Sequence, residues 1–147
     1  NMAVASHAAA DITRLTDKQV WCLDSQSLLT SIANDYGYES IFKNWLEHYS
    51  NPNEKSMVIG FSGSGNSKNV VSALNWANER HNWNGALISG SKSTCLDSNI
   101  PEINFGNDYF HQHEILSVMT FYEIVYNLGF ECPTIKAELV RKYGTTT

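Results

Sequence analysis

Residues 57–77 constrain this chain more than any other stretch. An unbroken apolar run, Met57-Val58-Ile59-Gly60-Phe61, leads into Ser62-Gly63-Ser64-Gly65-Asn66-Ser67, after which Val70, Val71, Leu74 and Ala77 recur at helical spacing. A continuous apolar run suits a strand covered on both faces, as in a parallel sheet. The stripe that follows is one buried face of a helix. Between them lie only serine, glycine, asparagine and the single lysine Lys68. The unit is strand, tight loop, helix, and a chain organised around it belongs to the α/β class.

The flanking sequence repeats the alternation. Residues 1–14 are rich in alanine and strong helix formers. Val20 to Leu23 is a short apolar run that reads as a buried strand. Asp24 and Ser25 are helix-capping types ahead of Leu28, Leu29, Ile32 and Ala33. Asn34-Asp35-Tyr36-Gly37 breaks that helix, and Ile41, Phe42, Trp45, Leu46 and Tyr49 mark the next. Ala86-Leu87-Ile88 predicts a strand ending at Ser89-Gly90, and Ile103–Phe105 another. A long helix is expected from His113 to Leu128 and a short one after Pro133 to about Lys142, with a frayed Thr-rich end. Together these predict a three-layer α/β sandwich: a central parallel sheet of about four to five strands flanked by helices. Ligands of such sheets bind at the carboxyl ends of the strands.

Composition narrows the function. A length of 147 residues suits one domain. A net charge of −5 without any Lys/Arg cluster argues against nucleic acid as a partner. No apolar stretch approaches the roughly 20 residues of a membrane span. Cys22, Cys95 and Cys132 are far apart and odd in number, which argues against a disulfide framework. With no signal peptide visible, a reducing, cytoplasmic setting is expected. The charged fraction of 17% is low, so part of the surface is expected to be covered by a partner subunit.

The Ser62–Ser67 loop has the chemistry of an anion cradle. Glycines let the backbone approach a ligand, serine hydroxyls donate to oxyanions, and the first turn of the following helix offers unpaired N–H groups. Two nucleotide motifs come close and fail. Asn66 stands where a P-loop has lysine, and Lys68 occupies the third glycine position of a dinucleotide fingerprint. The plain alternative is an ordinary strand–helix turn capped by serines. Lys68 is either an aid to the anion or a solvated side chain. Trp21, Trp45, Trp76 and Trp83 read as core or subunit contacts, and Tyr36 and Tyr38 either line a pocket or pack.

Phe-Ser-Gly-Ser-Gly-Asn-Ser-Lys-Asn-Val at 61–70 resembles the phosphosugar-binding loop of sugar isomerase (SIS) domains. Ala33-Asn34-Asp35-Tyr36-Gly37-Tyr38 and Ala5-Ser6-His7 are similar to one branch, the phosphoheptose (sedoheptulose 7-phosphate) isomerases, and the similarity covers most of residues 1–128. The resemblance implies a flavodoxin-like SIS fold and a homo-oligomer, tetramer or dimer, with sites shared between subunits. It implies that 1–147 is a single SIS domain lacking the helix and first strand usual upstream. By position, Ser62, Gly63, Ser64, Gly65, Asn66 and Ser67 would hold phosphate and sugar, with Asn34 and Asp35 near the sugar.

The same resemblance bears on catalysis. Aldose–ketose isomerisation needs a base at carbon and a group handling the oxygen proton. The branch uses a Glu on the first helix and a His on the last long helix. Asp11 stands at the Glu position, Phe121 at the His position, and His113 replaces a family Gln. Asp11 and His113 are thus the expected catalytic residues. No cofactor is required on this reading. Some members bind zinc, which makes His7, Asp11 and His113 a candidate three-ligand site with an open fourth position. Otherwise His7 and Asp11 are a surface helix pair. The implied function is a phosphosugar isomerase. The alternative is a non-catalytic sugar-phosphate-binding SIS module with a regulatory or scaffolding role; a lyase or epimerase on the same scaffold is a weaker third.

Overall fold

The computed structural model describes residues 1–145. In chain order the elements are α1 (Met2–Leu15), α2 (Gln26–Tyr36), a 3-10 turn (Tyr38–Ser40), α3 (Ile41–Tyr49), β1 (Ser56–Ser62), α4 (Lys68–Asn78), β2 (Trp83–Ser89), β3 (Glu102–Asn104), α5 (Phe110–Asn127) and α6 (Ile135–Tyr143). Local chemistry accounts for several boundaries. The Ser25 hydroxyl caps α2 by accepting from the Leu28 amide, and Gly37 ends that helix with φ of 83°. Thr134 caps α6 in the same way. Thr146 and Thr147, part of the end expected to fray, lie outside the described residues.

The three strands form one parallel sheet in the order β1-β2-β3. Val58 stands opposite Gly85, Ser62 opposite Ser89, and Ile88 opposite Ile103, so the strands end together at one edge. The α/β class is as expected, but among the described residues the sheet has three strands rather than four to five. Val20 to Leu23 is not a strand. The Thr13 hydroxyl accepts from the Val20 amide at 3.0 Å and lies 3.3 Å from its carbonyl as a donor, so a side chain of α1 takes the backbone groups a strand would pair. Leu23 is still buried, while Trp21 is 77% exposed.

Strand alternation divides the core into two layers. On one face Val58 and Leu87 pack with Leu74 of α4 and Ile100. Trp76, Ala77 and Trp83 extend this layer to Leu46 of α3. On the other, Phe61 meets Ala8 and Ile12 of α1 and Phe121 and Val125 of α5. Gly60 permits the first contact: a Cβ there would stand 2.6 Å from Val70 Cγ1 and 2.9 Å from Leu74 Cδ1. Each fully buried large apolar side chain contributes roughly 1.5–3 kcal/mol, and Leu74, Leu87, Phe121 and Val125 are all in that state.

Candidate anion loop and acid–base cluster

The loop after β1 is held by its own hydroxyls. Ser62 is fully buried, and its Oγ accepts from the Ser67 amide at 3.4 Å while donating to Ser67 Oγ at 2.9 Å. This relay leaves the Ser67 hydroxyl hydrogen without a protein acceptor, polarised by the bond behind it. Ser64 is exposed, and its Oγ accepts from the Asn66 amide at 3.3 Å, which leaves its hydrogen free as well. No side chain caps α4 at Ser67. The Val70 amide is taken by Asn69 Oδ1 and the Ser67 carbonyl, both at 2.9 Å, so the Lys68 and Asn69 amides are the first-turn donors left at the positive end of the helix.

A second loop, following β2, is clasped to the first. Asn66 Oδ1 accepts from the Thr94 amide at 2.8 Å, Thr94 Oγ1 at 3.1 Å, Ser93 Oγ at 3.4 Å and Cys95 Sγ at 3.2 Å. The Ser91 amide donates to the Gly63 carbonyl at 2.9 Å. Gly65 has φ of +70°, and a Cβ on it would stand 2.1 Å from the Ser91 carbonyl oxygen. Glu102 anchors the second loop to β3, accepting from Ser89 Oγ at 2.6 Å and the Ser93 amide at 2.9 Å. Asn66, expected as a ligand, thus spends its side chain on the neighbouring loop. Lys68 pairs with Glu39 at 2.9 Å, and this bond raises the pKa of its ammonium.

His113 lies behind the loop, in the first turn of α5. It is 1% exposed and sits against Phe105, its Cδ2 3.8 Å from where a Gly63 Cβ would be. Neither ring nitrogen has a partner, and burial depresses its pKa, which favours the neutral imidazole. Ser117, one turn along, is also fully buried with its hydroxyl unpaired. Asn34 and Asp35 are exposed at the end of α2 and bond to each other at 3.0 Å.

Asp11 sits in a different place, between α1 and α5. Its Oδ2 accepts from Tyr122 Oη at 2.5 Å and lies 3.3 Å from His7 Nε2; its Oδ1 accepts from Arg14 at 3.1 Å. Burial opposes ionisation of Asp11, but the hydrogen bonds from Tyr122 and Arg14 and the nearby positive charge outweigh it, holding its carboxyl below the ordinary range. Donation to Asp11, aided by burial, pushes Tyr122 up to about 12. The cluster opens on a cavity of about 400 Å³ lined by Asp11, Arg14, Tyr122, Glu123, Tyr126 and Cys132, among others. Phe121 packs edge-on against the His7 ring at 5.4 Å.

The expected zinc ligands do not meet. His7 and Asp11 are paired as the i, i+4 spacing predicts. His113 precedes Tyr122 by nine residues on α5, about 14 Å along the axis at 1.5 Å per residue. Among the described residues no group of three or more His, Cys, Asp or Glu side chains is placed to hold a metal ion. Sequence reasoning missed Tyr122 and the 91–95 loop. The only signals were a tyrosine beside position 121 and the hydroxyl-rich run Ser91-Lys92-Ser93-Thr94.

Known proteins match part of the sequence and share the fold. A phosphoheptose isomerase of Helicobacter pylori (strain P12) is 41% identical over 81 residues, covering 51% of this chain and 41% of that protein. One from Aneurinibacillus thermoaerophilus is 48% identical over 54 residues, covering 37% of this chain and 26% of that protein. The chain therefore spans less than half the length of these curated relatives. Among solved structures, a phosphoheptose isomerase from Francisella tularensis superposes with a TM-score of 0.71 at 16% identity, over 84% of this chain and 68% of that one. Phosphoheptose isomerase GmhA from Neisseria gonorrhoeae gives 0.68 at 22% identity, over 87% and 70%. No protein-family model matches the chain.

Proposed function

We propose that this chain, phosphoheptose isomerase-like in part of its sequence and in its fold, is a phosphosugar isomerase that interconverts an aldose and a ketose phosphate. The observation that carries the reading is that the Lys68 and Asn69 amides at the start of α4 and the hydroxyl hydrogens of Ser64 and Ser67 are left without protein partners in one short loop. Such a site holds a phosphate without needing a lysine. Gly63 and Gly65 let the backbone close around it, and Asn66 sets the second loop beside it. Asn34 and Asp35 are assigned to the sugar by position.

Asp11 is assigned the carbon-side base. It removes a proton from the carbon next to the carbonyl; the C–H electron pair becomes the C=C of an enediol, and the carbonyl oxygen takes up a proton. Returning the proton to the neighbouring carbon completes a reaction with no net oxidation. Its lowered pKa keeps Asp11 ionised, so it enters the step as a carboxylate. His113, neutral behind Gly63, is assigned to the sugar side of the loop. No step is routed through a metal.

The cavity that Asp11 lines includes no residue of the anion loop, which supports a site completed between copies. Ile115, Met119 and Tyr126 of α5 are 59%, 60% and 50% exposed and lie along one face. We assign that face to a homo-oligomer, to be checked by sedimentation. The three free cysteines support a reducing, cytoplasmic setting.

The test is proton exchange. The protein is incubated in heavy water with sedoheptulose 7-phosphate and related ketose phosphates, and carbon-bound hydrogens are followed by NMR. Deuterium uptake or product is expected. Thermal stabilisation by the sugar phosphate without exchange would leave a binding module instead.

A further inference from the structure

We propose that Tyr122 carries the oxygen-side proton in this chain, taking over the role left vacant by Phe121. The inference rests on the isomerase reading above. Enediol chemistry needs two proton-handling groups within reach of adjacent atoms of one substrate. Asp11 is one. Phe121 has no exchangeable proton, is 1% exposed, and belongs to the core with Ala8, Ile12 and Val125. One residue on, Tyr122 turns its hydroxyl to Asp11.

Three observations support the assignment. Tyr122 Oη lies 2.5 Å from Asp11 Oδ2, so acid and base are already in contact. Both line the same cavity of about 400 Å³, within the range of small-ligand sites. The hydroxyl also lies 3.4 Å from His7 Nε2, which gives the proton a second neighbour to pass to. The other charged or titratable groups at the cavity are Arg14 from α1, Glu123 and Tyr126 from α5, and Cys132 beyond it. Arg14 is committed to the far oxygen of Asp11.

The step balances without a co-reactant. As Asp11 removes the carbon proton, the carbonyl π pair moves to oxygen and takes the hydroxyl proton of Tyr122. The phenolate then recovers a proton from the neighbouring enediol hydroxyl, whose oxygen becomes the new carbonyl. Asp11 returns its proton to the adjacent carbon. Tyrosine and aspartate end as they began.

Tyr122→Phe removes the hydroxyl and keeps the ring that packs on Phe121. Turnover and deuterium exchange with a ketose phosphate are measured in the intact protein beside the wild type, together with sugar-phosphate affinity and thermal stability. The expected result is a fall of at least tenfold in kcat with KM changed less than threefold. Tyr122→His, which restores a proton-carrying ring, is expected to recover part of the loss. Wild-type exchange with an unaltered Tyr122→Phe rate overturns this assignment alone. A wild type that exchanges no deuterium overturns both it and the isomerase reading. Equal losses in Tyr122→Phe and Tyr122→His, tracking thermal stability, also overturn it, because the hydroxyl is then structural.

Discussion

Asn66 Oδ1 accepts the amide hydrogen of Thr94 at 2.8 Å, across 28 residues of sequence. This bond, with those from Thr94 Oγ1, Ser93 and Cys95, makes the loops after β1 and β2 one body. The candidate anion loop is consequently a two-loop structure, with Ser64, Ser67 and the start of α4 on the β1 side of the clasp.

Replacing Asn66 with Ala should leave the Thr94 amide and two hydroxyls without their acceptor. A loss of about 1–3 kcal/mol is expected in urea unfolding, together with weaker sugar-phosphate binding. Asn66→Asp keeps an acceptor oxygen and should lose less. Equal stability of wild type and Asn66→Ala would mean that water replaces the clasp at no cost.

Gly65 and Gly37 give a paired comparison. Both have positive φ, but an added Cβ meets nothing within 4 Å at Gly37 and a carbonyl oxygen at 2.1 Å at Gly65. With φ of 83° and ψ of 151°, Gly37 sits where essentially only glycine does, so Gly37→Ala should cost about 1–3 kcal/mol. Gly65→Ala should cost clearly more, because the second loop must also move. Denaturant titrations of the two variants decide it, and similar midpoints would contradict the loop packing.

Ser64→Ala with Ser67→Ala tests the loop as a binding site. If each outward hydroxyl reaches phosphate, sugar-phosphate affinity should weaken by ~1–3 kcal/mol in calorimetry. Unchanged affinity would sink the assignment of the loop.

The Asp11–Tyr122 bond predicts a stability window in pH. The folded Asp11 carboxyl lies below its ordinary 3.8, so its contribution is present above that value and lost as pH falls through the folded pKa. Tyr122 is raised from 10.0 to about 12, so its contribution is full below 10 and lost as pH rises through 12. The stability difference between wild type and Tyr122→Phe should therefore be flat from about pH 5 to 9 and shrink beyond both ends. A difference that persists undiminished at pH 12 would show that the hydroxyl contributes nothing through this bond.

Much of the fold was legible because it is locally encoded. The apolar run ending at Phe61, the serine–glycine loop and the stripe of α4 each carry their own periodicity or turn chemistry, and Ser25 announced the start of α2. Val20 to Leu23 misled because apolar character does not make a strand without a neighbour to pair with, and Thr13 had taken the backbone groups of Val20. Among the site residues, the sequence marked the Ser62–Ser67 loop and Asp11 through the family resemblance, and the roles of individual side chains changed on folding. Ser62 and Asn66 support the loop from within.

By itself the sequence determined the class of fold, the strand–loop–helix unit and the chemistry available at its turn, since these depend on residues within one or two turns of each other. Only the tertiary structure decided which groups meet. Tyr122 reaches Asp11 across 111 residues because Ala8, Ile12, Phe121 and Val125 pack α1 onto α5. His113 is buried against Phe105 and Gly63, about 14 Å along the helix from that pair. Long-range contacts of this kind are set by which apolar faces bury one another, and no local pattern records that choice.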